Sequence, residues 1–188
     1  MEAKAHRLQD RIRASLSIAG VAGALLWGSG AWAAAATAKN SSATGCGAGQ
    51  PRFTVMTDSG QLEAAPKENK ARIVILQPGE SVTSTRQTFP VGLDGRWAGA
   101  LRDYSWQLFT VAPGIHHVCV SWQSPWTALA AEKTQAVVQT KPGQTYFLEL
   151  SVAGSGNSVT SFNLFGLGPY EAKYLVKSLP HAMVIPAK

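Results

Sequence analysis

The sequence predicts an all-β protein, an Ig-like antiparallel β-sandwich of about seven to nine strands with one short C-terminal helix. Three observations carry this. Short runs rich in Val, Thr, Phe, Tyr and Trp recur at close spacing. Gly (18) and Pro (10) punctuate them, three times as a Pro-Gly pair. The stretch Thr145–Val152 alternates strictly, with Tyr146, Leu148, Leu150 and Val152 on one face and Phe147, Glu149 and Ser151 on the other. At 188 residues, 45% hydrophobic and 15% charged, the chain is large enough for one domain with a real core.

The organisation expected is a signal peptide over 1–38, a flexible lead-in over 39–70 and a β-sandwich domain over 71–188. Met1–Arg13 is polar and net positive, and Ala14–Trp32 contains no charged residue. Small residues follow as Ala31-Trp32-Ala33 and Ala36-Thr37-Ala38, which predicts cleavage after Ala33 or Ala38. The alternative is a retained membrane anchor; the run is long enough, but its many Ala and Gly residues make a weak span. Cys46 lies too far beyond the apolar run for lipidation. Asn40-Ser41-Ser42 matches a glycosylation sequon, a short pattern of little weight.

Taken in order, the lead-in is small and polar through Gln50, with a short strand expected at Phe53–Thr57 and a linker over Asp58–Lys70. Ala71–Leu76 reads as a buried strand ended by Gln77-Pro78-Gly79. Asp94-Gly95 between Phe89–Leu93 and Arg96–Ala100 is a hairpin signal, because a tight primed turn needs positive φ. Ser105–Val111, a turn at Pro113-Gly114 and the apolar Ile115–Trp122 follow. Ala128–Glu132 reads as a helical turn or loop. Beyond Gln135–Thr140, Pro142-Gly143 and Thr145–Val152 come a loop at 154–157, a strand at Val159–Phe165 and a helix over Pro169–Lys177 with Pro at its first position.

Two cysteines remain after the leader, Cys46 and Cys119, in a chain bound for an oxidising compartment. One disulfide between them is the natural reading. If Val118, Val120 and Trp122 point into the sandwich, alternation puts Cys119 outside, and the bridge straps the lead-in across its strand.

The formal charge is +6. Residues 1–38 hold Lys4, Arg7, Arg11 and Arg13 against Glu2 and Asp10, a surplus of two, which leaves +4 on the remainder. Those basic residues are scattered singly, so a nucleic-acid partner is not indicated.

Chemistry is sparse. His116 and His117 are neighbours on a strand and point to opposite faces, so they cannot chelate one metal together; with no group seen to orient either, both read as structural. Two cysteines and isolated histidines do not supply zinc ligands, so no metal or other cofactor is implied. Asp94 is a turn former, while Asp103, near Tyr104 and Trp106, could line a pocket. No Gly-x-Ser-x-Gly elbow, Walker loop or His-Glu-x-x-His occurs. Aromatic side chains remain: Trp126, in a loop after Pro125, and Trp97 and Trp106 are the candidate ligand-binding residues.

Leu93-Asp-Gly-Arg-Trp-Ala-Gly99, Phe109 through Gln123 with its Pro-Gly-Ile-His-His-Val-Cys core, and Lys141-Pro-Gly-Gln-Thr-Tyr-Phe-Leu148 resemble, in that order, an exported bacterial domain-of-unknown-function family. That family is built on a transthyretin-like, carboxypeptidase-regulatory-like β-sandwich. The resemblance covers roughly Cys46 to Leu179. It implies a fold and a periplasmic or secreted location and carries no catalytic residues. The function expected is a non-catalytic binding or structural module of the cell envelope with a glycan or protein partner, off the membrane once the signal is cleaved. A membrane-anchored accessory subunit and a hydrolase with an unrecognised site are the alternatives.

Overall fold

The computed structural model describes residues 45–62, 65–79, 87–125, 127–155 and 158–185. The expected signal segment, the sequon match, residues 80–86 and Trp126 lie outside them. Ten strands and two helices follow in the order β1 (Thr54–Asp58), β2 (Ala71–Gln77), β3 (Thr88–Leu93), β4 (Arg96–Arg102), β5 (Ser105–Val111), β6 (Gly114–Ser121), α1 (Thr127–Ala130), β7 (Lys133–Thr140), β8 (Thr145–Ser155), β9 (Ser158–Leu167), α2 (Pro169–Ser178) and β10 (His181–Ile185). The protein is an all-β sandwich of two sheets with one short C-terminal helix. A six-stranded sheet runs β1-β10-β5-β2-β8-β9 and a four-stranded sheet runs β4-β3-β6-β7.

The expected hairpin forms at Asp94-Gly95, where φ is 52° and 78°. Both central residues are left-handed, the signature of a type I′ turn. Every residue of β2 is buried, because it is covered on both sides. Ile73 and Ile75 enter the core between the sheets with Phe89, Val91, Val118, Val120, Trp122, Leu148 and Leu150. Val74 and Leu76 point the other way and pack with Trp106, Phe147 and, from α2, Ala172 and Val176. The predicted alternation in β8 is therefore real, but both of its faces are covered.

Three features differ from expectation. The six-stranded sheet is mixed, since β2 pairs parallel with β8 and β10 meets β5 in parallel. The C-terminal tail forms β10 and pairs antiparallel with β1 along its whole length. The lead-in strand β1 thus belongs to the sandwich, and the described residues fall in one compact unit without a division at Lys70.

The turn between β4 and β5 carries the chain from one sheet to the other in two residues, Asp103 and Tyr104. Tyr104 sits in the left-handed region at φ 55° and donates its N–H to Gln77 Oε1 at 2.9 Å. Asp103 Oδ2 accepts the Gln87 N–H at 2.6 Å, and Asp103 is buried. It fixes a corner of the fold and is not among the residues lining the depression beside Trp97.

Candidate functional site

The lead-in is fastened across the outer face of the four-stranded sheet, as alternation in β6 requires. Val118 and Val120 face the core, so Cys119 faces out, and it is joined to Cys46 by a disulfide. Gly92 of β3 lies directly opposite Cys119 and, one strand further, opposite Trp97 of β4. Those three positions form a row that the strap crosses. A side chain at Gly92 would collide with the backbone of Cys46, and one at Gly47 would come within 2.6 Å of the Trp97 ring. The Trp97 indole N–H donates to the Ala48 carbonyl at 3.0 Å. Further along, the Gln123 amide exchanges two hydrogen bonds with the backbone of Phe53, at 2.7 and 3.1 Å.

Between strap and sheet edge lies a shallow depression of about 50 Å³. Its lining includes the apolar Trp97, Pro90 and Trp122 and the polar Gln50, Gln123, Arg52 and Lys133. Its lining holds two cations and no carboxylate. An aromatic ring, amides and cations together suit a hydroxylated, anionic ligand.

Of the three tryptophans proposed from sequence, Trp97 alone is seen at this depression, half-buried. Trp106 corrects its expectation. It is 2% exposed, donates its indole N–H to the Leu179 carbonyl at 3.1 Å and stacks obliquely on the His181 ring at 4.5 Å. The cause is its strand, since β5 lies between β2 and β10 and its Trp106 side is roofed by α2. Trp126 lies outside the described residues.

The histidine pair divides as alternation predicts: His116 is buried and His117 exposed. A group that orients His116 does exist. Its Nδ1 lies 2.7 Å from Asp94 Oδ2 and its Nε2 lies 2.7 Å from the Ala112 carbonyl. Asp94 Oδ1 also accepts the His117 N–H at 2.9 Å. An Asp–His pair resembles two-thirds of a hydrolytic triad, but here a backbone carbonyl takes the place of the nucleophile at Nε2. The arrangement locks the β3–β4 turn to β6. Sequence reasoning missed it because Asp94 meets His116 only through the β3–β6 register; the local signal was an Asp-Gly turn and a His-His pair, each unremarkable alone.

Glu149, on the face of β8 beneath α2, has its carboxyl pushed above the ordinary range by burial, with a further rise from the Glu171 carboxylate. Among the described residues no cluster of three or more His, Cys, Asp or Glu side chains could hold a metal ion.

The architecture defines a class: a two-sheet sandwich whose N-terminal lead-in is strapped by a disulfide over a shallow cationic groove. No family model, curated protein or solved structure matches the chain. A disulfide, together with the finding that no described helix is long and apolar enough to cross a membrane, is compatible with an extracellular or periplasmic protein.

Proposed function

We propose that this chain is an exported, non-catalytic binding module of the cell envelope that takes an anionic glycan in the groove beside Trp97. One observation carries the reading: an indole, amide side chains and the two cations Arg52 and Lys133 surround a depression with no carboxylate in it. Sugar rings present an apolar face that an indole can cover, and uronate or phosphate groups supply the charge that Arg52 and Lys133 would meet. The leader sequence, the disulfide and the resemblance to exported transthyretin-like domains support export. The carbonyl at His116 Nε2 counts against a hydrolase built on the Asp94–His116 pair.

A thermal-shift screen tests the reading. Acidic envelope polysaccharides should raise the melting temperature, neutral oligosaccharides should raise it less, and added salt should erase the difference. Arg52→Ala with Lys133→Ala should abolish the shift without changing the melting temperature of the free protein. No shift with any glycan would refute the glycan ligand. For export, intact mass should show a mature chain beginning at Ala34 or Lys39; a mature chain beginning at Met1 would make it an anchored subunit instead.

A protein partner is the second reading. Ile115 and Val137, 64% and 65% exposed on the outward side of neighbouring strands β6 and β7, are the observation in its favour.

A further inference from the structure

Soft donor atoms are scarce in this chain. It has three methionines and two cysteines; the cysteines are joined to each other, and Met1 opens the leader. The two methionines that remain, Met56 and Met183, come from opposite ends of the sandwich sequence, yet they are direct cross-strand partners in the β1–β10 pair. They are not core residues. Met56 is 55% exposed and Met183 39%, although an unbranched thioether is ordinarily a filler of core gaps.

Side-chain alternation decides what stands beside them. Val55, Ala182 and Val184 turn inward against Ala100. Met56, Met183, Asp58 and His181 therefore share the opposite, outward face. Asp58 and His181 form the pair two residues along from the methionine pair, so His181 is the diagonal neighbour of Met56. Same-face diagonal neighbours lie about 7–8 Å apart at the backbone, within reach of long side chains.

Three groups stand around the imidazole. Asp58 Oδ1 stands 3.4 Å from His181 Nδ1 and is itself fixed by the Gly60 N–H at 2.9 Å. The Trp106 ring centre lies 4.5 Å from that of the imidazole, and the Gly60 backbone comes close to its base, where an added Cβ would come within 2.8 Å of His181 Cβ. A carboxylate at one ring nitrogen orients a histidine whose other nitrogen binds a metal. Among the described residues, nothing forms a hydrogen bond with His181 Nε2.

We propose that Met56, Met183 and His181 form a surface site for one soft monovalent cation, Cu(I), with Asp58 positioning the imidazole. Two thioethers and an imidazole select Cu(I) over the hard cations, which seek oxygen donors. With both cysteines joined to each other, no thiolate among the described residues competes for the metal. The site lies on the six-stranded sheet, is separate from the Trp97 groove and does not depend on the glycan reading.

The test uses the full chain with its disulfide intact. Copper is kept as Cu(I) by ascorbate under anaerobic conditions, and binding is measured by competition with a chromogenic Cu(I) chelator. One equivalent should bind, and the methyl resonances of Met56 and Met183 should both move in carbon-labelled protein. Met56→Leu with Met183→Leu, which preserves volume at exposed positions, should weaken binding at least about tenfold, and Asp58→Asn should weaken it by about tenfold through the imidazole. Melting temperatures of the metal-free variants should match the parent, so that loss of binding is not loss of fold. Absence of a one-to-one complex, unmoved methionine methyls, or undiminished affinity in the double leucine variant would each overturn the site. So would loss of binding in His117→Ala with retention in the double leucine variant.

Discussion

The outer face of the four-stranded sheet and the outer face of the six-stranded sheet are each covered in part, by segments with nothing in common. Over the first runs Gly45-Cys46-Gly47-Ala48-Gly49, a stretch with almost no side chain to bury. It is held by one covalent bond, by close approach to Gly92 and by the Trp97 N–H. Over the second lies α2, held by burial: Ala172 and Val176 pack on Val74, Leu76, Trp106 and Phe147. A segment without apolar surface must be fixed by bonds and by shape, and its hold fails all at once. A segment with an apolar stripe is held in increments, and its hold fails by degrees.

Breaking the covalent strap should have the largest effect. Cys46→Ser with Cys119→Ser opens a loop with a sequence separation of 73 and should cost about 4 kcal/mol in the chain-entropy model, read from denaturant midpoints. A loss below about 1 kcal/mol would mean that non-covalent contacts hold the strap unaided.

Gly92→Ala comes next, because its Cβ would meet the Cys46 backbone. Overpacking of this kind should cost about 2 kcal/mol in the oxidised protein. The cost should shrink in the Cys46→Ser, Cys119→Ser background, where the strap can lift. A double-mutant cycle reads that coupling directly, and strict additivity would show that Gly92 is needed for some other reason.

On the helix side, Val176→Ala should cost between about 1 and 2 kcal/mol, the transfer of its buried methyl groups with partial collapse of the gap. That cost should be equal in reduced and oxidised protein. A dependence on the disulfide would make the two covers one cooperative unit and break the contrast between them.

The smallest effect belongs to Glu149 beneath α2. Its folded pKa is raised, by burial first and by Glu171 second. Folding therefore favours the protonated carboxyl: the stabilisation is fully present below the unfolded carboxylate pKa and is lost as pH rises through the folded value. Glu149→Gln should melt higher than the parent at neutral pH by a few tenths of a kcal/mol, about what a partly solvated charge permits. The gap should close on acidification, and a gap that persists below the ordinary carboxylate range would point to packing.

Much of the scaffold was legible from local pattern. Asp94-Gly95 announced its hairpin because two positive φ angles need those residue types, and the outward orientation of Cys119 followed from the apolar set around it. What pattern could not supply was pairing between distant segments. His181–Ile185 is five residues long and follows a proline, so nothing in it marks a strand until β1 stands beside it. The parallel β2–β8 register and the meeting of Asp94 with His116 were hidden for the same reason. Trp106 misled because a tryptophan beside a loop looks available, whereas β5 is covered on both faces by elements remote in sequence. The candidate groove was half legible: Trp97 was named, but Arg52 and Lys133 join it only through the strap and the β6–β7 pairing.

The disulfide also turns part of the chain into a closed ring. Residues 46 to 119 hold β1 through β5 and most of β6. The strands on either side of β10, β1 and β5, both lie inside that ring. The C-terminal strand therefore occupies a slot between two strands of that ring, and among the described residues it is the strand with which β1 pairs. A chain ending before His181 would present this slot as an acceptor for an added strand, and a free peptide with the sequence of His181–Ile185 is the natural insert.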